Sequence, residues 1–268
     1  MPNLVESKAR NSGSAALKKS FAVGVIGVKG GVGATTLAIN LAAQAAASTG
    51  KSVRLFDANL QQPDIACLLD LKPRFSIADL VERKDNLSPS VLDACLTAKP
   101  LTLGALQVVS PPLDCQSALL VSMDNVVELF TALQGLDSGF WIVDLPKTID
   151  SSLVTLLDAL DKIVLVIEPT VPCLAACARW LSLLSELGYE SSRLLVVMNR
   201  AFGKVKAIET RLSESLGAYT LLKVVNAYEA AENACLLGLP LVETAKNSPY
   251  TKSVAKVLES LRSGVADV

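Results

Sequence analysis

The chain has no histidine. That absence removes Ser-His-Asp and Cys-His nucleophilic catalysis, imidazole acid–base chemistry and most transition-metal sites. Aromatic residues make up only 4% of the chain, and neither sign of charge is in excess: 25 Lys and Arg stand against 26 Asp and Glu. A net charge of −1 gives no electrostatic reason to expect nucleic acid as the main partner. The six cysteines (Cys67, Cys95, Cys115, Cys173, Cys177 and Cys235) show no CxxC spacing. They are expected as buried, reduced thiols, with Cys173 and Cys177 on one helix face. No apolar run approaches the ~18 residues that a bilayer span requires. Lys18 and Lys19 followed by Phe21 to Val28 have the basic and apolar parts of an export signal, but the run stops at Lys29. The expected location is therefore cytoplasmic.

What remains is a core-rich globular chain, 51% hydrophobic and 19% charged over 268 residues. Residues 1 to about 20 are polar, contain Asn11-Ser12-Gly13-Ser14, and read as a flexible leader. From residue 21 to 268 one nucleotide-binding domain is expected, with no internal repeat and no strong linker. Short apolar runs alternate with helical patterns. Phe21–Val28, Ser52–Phe56, Leu106–Val109, Phe140–Val143, Lys162–Ile167 and Leu194–Met198 read as strands. The runs lack polar alternation, which implies a sheet covered on both faces. Helices are expected after the glycine cluster at 30–33 and over Asn125–Leu133, Ser152–Leu160, Ala175–Leu187 and Val205–Leu216. This alternation predicts an α/β fold with a doubly wound, mostly parallel sheet. A last helix lines up Tyr250, Val254, Val257, Leu258, Leu261 and Val265. Packing on the domain is the expected use of that stripe; peripheral membrane contact is the alternative.

Gly30, Gly31 and Gly33 sit between a strand and a helix start, with Thr35-Thr36 in the first helical turn. Glycines there let consecutive N–H groups point into one concavity, and the positive end of the helix adds to the attraction for an anion. A phosphate site is the reading this placement supports.

The run Lys29-Gly-Gly-Val-Gly-Ala-Thr-Thr36 resembles the deviant Walker A motif of the MinD/ParA class of P-loop NTPases, and the resemblance extends over roughly residues 21 to 263. It implies ATP or ADP with Mg²⁺ as cofactors and a nucleotide-favoured homodimer. Gly30, Gly31, Val32, Gly33, Ala34, Thr35 and Thr36 would hold the phosphates, and Lys29 would reach the nucleotide of the other copy. Thr35 would bind Mg²⁺, with Asp57 and the Walker B-like Asp144 around it. Asn199, followed by Arg200, resembles the asparagine that hydrogen-bonds adenine. Within the class the chain looks most like the CpaE/TadZ pilus-assembly subgroup. Three stretches carry that likeness: Gly-Gly-Val-Gly-Ala-Thr-Thr, Asp57-Ala-Asn-Leu-Gln-Gln-Pro-Asp64 and Asp144-Leu-Pro146. The resemblance implies pilus or secretion-machinery proteins as partners, and a polar or inner membrane-face location.

The chain departs from the class at several points. Ala34 stands where a P-loop lysine is usual, and Asn59 stands where a water-orienting switch aspartate is usual, while Asp57 is retained. Val225-Asn226-Ala227 replaces a loop that often carries proline beside adenine, and only a short leader stands where the subgroup often has a receiver-like domain. Three functions follow as expectations: a pilus- or secretion-positioning dimer with slow or absent hydrolysis, an active positioning or partition ATPase for another cargo, and a scaffold without nucleotide.

Overall fold

In the computed structural model, which describes residues 20–136, 139–202, 210, 217 and 219–263, the apolar runs pair into one sheet. Its strands are β1 (Phe21–Gly27), β2 (Ser52–Asp57), β3 (Thr97–Pro100), β4 (Ala105–Val109), β5 (Phe140–Asp144), β6 (Lys162–Ile167), β7 (Leu194–Ala201) and β8 (Thr220–Val225). The spatial order is β3-β4-β2-β5-β1-β6-β7-β8. Every described neighbour pair is parallel except β3 with β4. The doubly wound α/β sheet expected from the sequence is therefore present.

The two central strands are buried at every position, FAVGVIG in β1 and FWIVD in β5. Continuous burial of this kind needs helices on both faces, which is why these strands read as unbroken apolar runs. Trp141 of β5 is fully buried and meets Phe130 edge-on at 5.7 Å, and Phe130 in turn meets Phe56 of β2 at 5.3 Å. Such aromatic contacts tie the helix Met123–Leu136 to the sheet.

Several boundaries differ from expectation. Helix Val171–Glu186 begins a turn earlier than expected, because Pro172 sits in its first turn, where a missing N–H costs nothing. Helix Ser151–Asp158 is set by Asp150, whose side chain accepts from Leu153 N at 2.8 Å. Strands β3 and β8 were not expected. β3 is a short edge strand of TAKP, and β8 (TLLKVV) has only one buried position, so neither carries a strong apolar signal. The leader and the helix expected at Val205–Leu216 lie outside the described residues, apart from Ser20 and the helical Thr210. The cysteine expectation needs correction: Cys95, Cys173 and Cys177 are buried, but Cys67 and Cys115 are exposed and Cys235 is half-buried. Cys67 and Cys115 lie on short helices that offer little cover.

The C-terminal helix, Pro249–Arg262, buries Tyr250, Val254, Val257, Leu258 and Leu261. It packs on the helix Ala34–Thr49 and on β8. Ser253 Oγ accepts from Val225 N at 3.3 Å, and the Arg262 guanidinium lies 5.6 Å from the centre of the Phe140 ring. Protein therefore covers the five described residues of the stripe, and they are not free to enter lipid; Val265 lies outside the described residues. Among the described residues no helix is long and apolar enough to cross a membrane.

Leu261 is 1% exposed. Leu261→Ala should cost about 2–5 kcal/mol of unfolding free energy, the range for a buried leucine cut back to alanine. Urea unfolding checks this; a loss below about 0.5 kcal/mol, typical of surface positions, would mean that the helix does not close the core.

Candidate functional site

The central strand β1 is flanked by β5 on one side and β6 on the other. Crossovers leave in both directions there, and an open parallel sheet forms its ligand crevice beyond the carboxyl ends of strands at such a point. The glycine loop occupies that place. Val28 N donates to Val166 O at 3.1 Å, which ties the loop's start to β6. Gly31 and Gly33 have φ of 81° and 85°, a region that side chains disfavour. Lys29, Gly30 and Gly31 are exposed, while Val32 is buried beneath them. The helix Ala34–Thr49 then starts with Leu37 N donating to Gly33 O at 3.0 Å, and no acidic residue lies in its first turn. Its positive end is thus left uncompensated toward the crevice.

Two neighbouring structures hold this loop. On the β5 side, Thr35 Oγ1 donates to Asp144 Oδ2 at 2.7 Å. On the β7 side, Asn199 Nδ2 donates to Val32 O at 2.9 Å. A Cβ on Gly33 would lie 2.5 Å from that same Nδ2, so a side chain there would strain the backbone and displace the Asn199 amide.

Asp57 and Asp144 end adjacent parallel strands and are partners in register. Asp57 is fully buried and accepts from Asn59 N at 3.0 Å and Ile65 N at 3.3 Å. Asp144 is 2% exposed. Burial is the largest cause that pushes the Asp144 carboxyl up to about 7; Asp64 adds to the rise, and the Thr35 hydroxyl and Lys147 oppose it. Asp57 is held well above the carboxylate range by burial first and by the charge of Asp144 second. Like charges removed from water disfavour ionisation, so the pair is short of a cation. Among the described residues no group of three or more His, Cys, Asp or Glu could hold a metal ion alone. The donor set for a hard cation is one hydroxyl and two carboxylates, which leaves room for oxygen ligands from elsewhere.

The structure thus brings together Gly30, Gly31, Val32, Gly33, Ala34, Thr35 and Thr36 with Asp57 and Asp144. Asn59 is half-buried and lines a neighbouring cavity of about 470 Å³ with Gln61, Pro146 and Thr148. Ala34 is half-buried, packed against the core. Asn199 and Arg200 line a second cavity of about 290 Å³ with Thr36, Asn226 and Tyr228. Arg200, at φ 53°, pairs with Glu168 where β7 slips register against β8. Sequence reasoning missed three things: the Asn199 strut, the charge of Asp64 beside the acid pair, and Lys147. The Lys147 Nζ lies 3.6 Å from where a Cβ on Gly30 would be. A lysine three residues past the strand-ending Asp144 was the available signal for the last of these.

Comparison with known proteins gives the family of the chain and its fold. A family model, ParA, described as NUBPL iron-transfer P-loop NTPase, matches residues 18–262. The antiactivator FleN of Pseudomonas aeruginosa is 31% identical over 152 residues, which cover 55% of this chain and 51% of FleN. The chain thus spans about half the length of that relative. The crystal structure of a ParA family ATPase from Chlorobium tepidum superposes with a TM-score of 0.80 at 21% identity, covering 90% of this chain and 99% of the other. The septum site-determining protein MinD of Pyrococcus horikoshii, complexed with Mg-ADP, gives 0.75 at 16% identity, covering 93% and 100%. At these identities the two structures establish the fold.

A carboxyl whose pKa rises on folding binds its proton more tightly in the native state. Its contribution to stability is complete below about pH 4, the ordinary carboxylate value, and is lost as pH climbs toward the folded value. For Asp144 that folded value is about 7. The ligand-free protein should therefore melt at a lower temperature at about pH 8 than at about pH 5. Asp144→Asn, whose amide oxygen can still accept from Thr35, should flatten that fall and raise the melting temperature at the higher pH. An unchanged slope in thermal melts of the variant would show that the acid pair is not its source.

Proposed function

The chain belongs to the ParA family of P-loop NTPases, and from that premise we propose that it binds ATP, dimerises around it, and hydrolyses it slowly or not at all. The role proposed for that dimer is assembly or polar positioning of a pilus or secretion machine. The observation that carries the nucleotide reading is the Thr35–Asp144 hydrogen bond beneath a loop with two glycines at positive φ.

In this reading the amides from Gly30 to Thr36 cradle the phosphates of ATP or ADP. Thr35 holds Mg²⁺ directly, with Asp144 and Asp57 in its surroundings. The acid pair supports this assignment, because a divalent cation would favour the ionised form of two carboxyls whose pKa values burial, and secondarily nearby acidic charge, push up. When bound, Mg²⁺ would neutralise charge on the phosphates. Lys29 is exposed at the mouth of the loop, which suits a residue that reaches the nucleotide of a second copy. Asn199 and Arg200 border the cavity that would take the base.

Slow chemistry follows from two residue identities. Ala34 places no charge on the β- and γ-phosphates from within the loop, and the Asn59 amide cannot act as a carboxylate acceptor for the attacking water. Phosphoryl transfer depends mainly on placed charge and positioned water. One charge-assisted hydrogen bond is worth about 1.5–3 kcal/mol, or roughly ten- to a hundred-fold in affinity. The pilus or secretion role rests on the local likeness to the CpaE/TadZ subgroup in the Asp57–Asp64 and Asp144–Pro146 stretches. A second reading, a scaffold without nucleotide, is favoured by one observation: Asn199 already spends its amide on Val32 O.

Calorimetric titration with ATP and Mg²⁺ separates these readings. Binding by the native sequence is expected, tightened by Ala34→Lys and little changed by Asn59→Asp. Together the two changes should raise turnover more than the separate changes combined, since both act on one transition state. Rapid hydrolysis by the native sequence would overturn the slow-site reading, and no binding even by the double variant would establish a structural loop. In sedimentation, Lys29→Ala should weaken an ATP-dependent dimer and leave the monomer folded; an unaltered dimer would reject the role across the interface. A fluorescent fusion should form polar or focal spots, whereas a signal that follows the nucleoid would favour the partition reading.

A further inference from the structure

The phosphate loop carries alanine at position 34, yet a different lysine stands beside it. Lys147 follows Asp144-Leu145-Pro146 on the segment that leaves β5. Leu145 N donates to Val25 O at 2.9 Å, so pairing with β1 still anchors this segment one residue past the strand. Pro146 then restricts the backbone direction before Lys147. The result is an ammonium 3.6 Å from the position of a Cβ on Gly30, at the exposed part of the loop.

The same ammonium acts on Asp144, since its charge favours the ionised form of that carboxyl. One cation therefore serves both the loop that presents backbone amides and the buried carboxylate beneath it. A phosphate chain lying in the loop would concentrate its negative charge in that region. Stability does not account for the placement. Lys147 is exposed, and exposed charge pairs contribute only about 0–1 kcal/mol. A lysine stem of four carbons with a compact, rotatable charge also suits capture of phosphate oxygens from a neighbouring segment.

We propose that Lys147 is a phosphate-binding residue, and that it supplies from the end of β5 the cation that Ala34 does not supply from the loop. Its ligand is the polyphosphate of a nucleoside di- or triphosphate. The proposal rests on the nucleotide-binding reading above. In its terms the site keeps a cation for the phosphates but brings it from a different strand.

The test compares the native chain with Lys147→Met, which retains the stem and removes the charge, and with Lys147→Arg. ATP with Mg²⁺ is the probe, titrated at several salt concentrations. Lys147→Met should weaken binding about ten- to a hundred-fold and make its salt dependence shallower, while Lys147→Arg keeps most of the affinity. The melting temperature of ligand-free Lys147→Met should match that of the native chain. Adding Ala34→Lys should restore more affinity in the Lys147→Met background than it adds in the native one, because the two cations serve the same phosphates. A purely structural role would not show that rescue or the change in salt dependence. Native binding that Lys147→Met leaves intact would overturn the role of Lys147 and leave the nucleotide reading standing. No ATP binding by the native chain would overturn both.

Discussion

Two carboxylates held out of water at the ends of adjacent strands constrain everything around them. Asp57 and Asp144 face each other because β2 and β5 are parallel and in register. Burial raises both pKa values; the charge of Asp144 adds to the rise at Asp57 and that of Asp64 to the rise at Asp144, and neighbouring donors only partly offset this. The Thr35 hydroxyl answers one of them at 2.7 Å, and in doing so locks the first turn of the following helix to the end of β5. A buried acid cluster of this kind would gain from a cation, which is what the proposed Mg²⁺ would supply.

The loop itself is braced from both sides of β1. Thr35 fastens it toward β5, and Asn199 fastens it toward β7 through Val32 O. Gly33 is the point where these demands meet, since at φ 85° a side chain would be strained and its Cβ, 2.5 Å from Asn199 Nδ2, would push that amide aside. A loop held this way presents its amides without reorganising first, which is the condition under which backbone dipoles act most strongly on an anion. The residues at the rim are engaged away from the loop. Arg200 is turned toward Glu168, and Asn59 borders a separate cavity near Pro146 and Thr148.

Much of this could be read in the sequence. The central strands were legible because β1 and β5 are buried at every position and so contain almost nothing polar. Asp57 and Asp144 stood out as acidic ends of such runs, and the glycine cluster stood out between a strand and a helix. β3 and β8 were not legible, because edge strands keep polar, half-exposed residues that look like loop. The exposed Cys67 and Cys115 ran against composition for a similar reason: a residue type's average burial says nothing about a short surface helix.

The sequence by itself determined the alternation of strand and helix, the position of the phosphate loop, and the identity of the residues at strand ends. These are local properties, carried by periodicity, by glycine's backbone freedom and by the places where apolar runs stop. Only the tertiary structure decided that Asn199 braces Val32, that Asp57 and Asp144 are buried as partners in register, and that Lys147 comes to Gly30. Those contacts join segments far apart in the chain, and they depend on strand order and register. Hydrophobic patterning constrains which face a strand buries but leaves open which strand lies beside it.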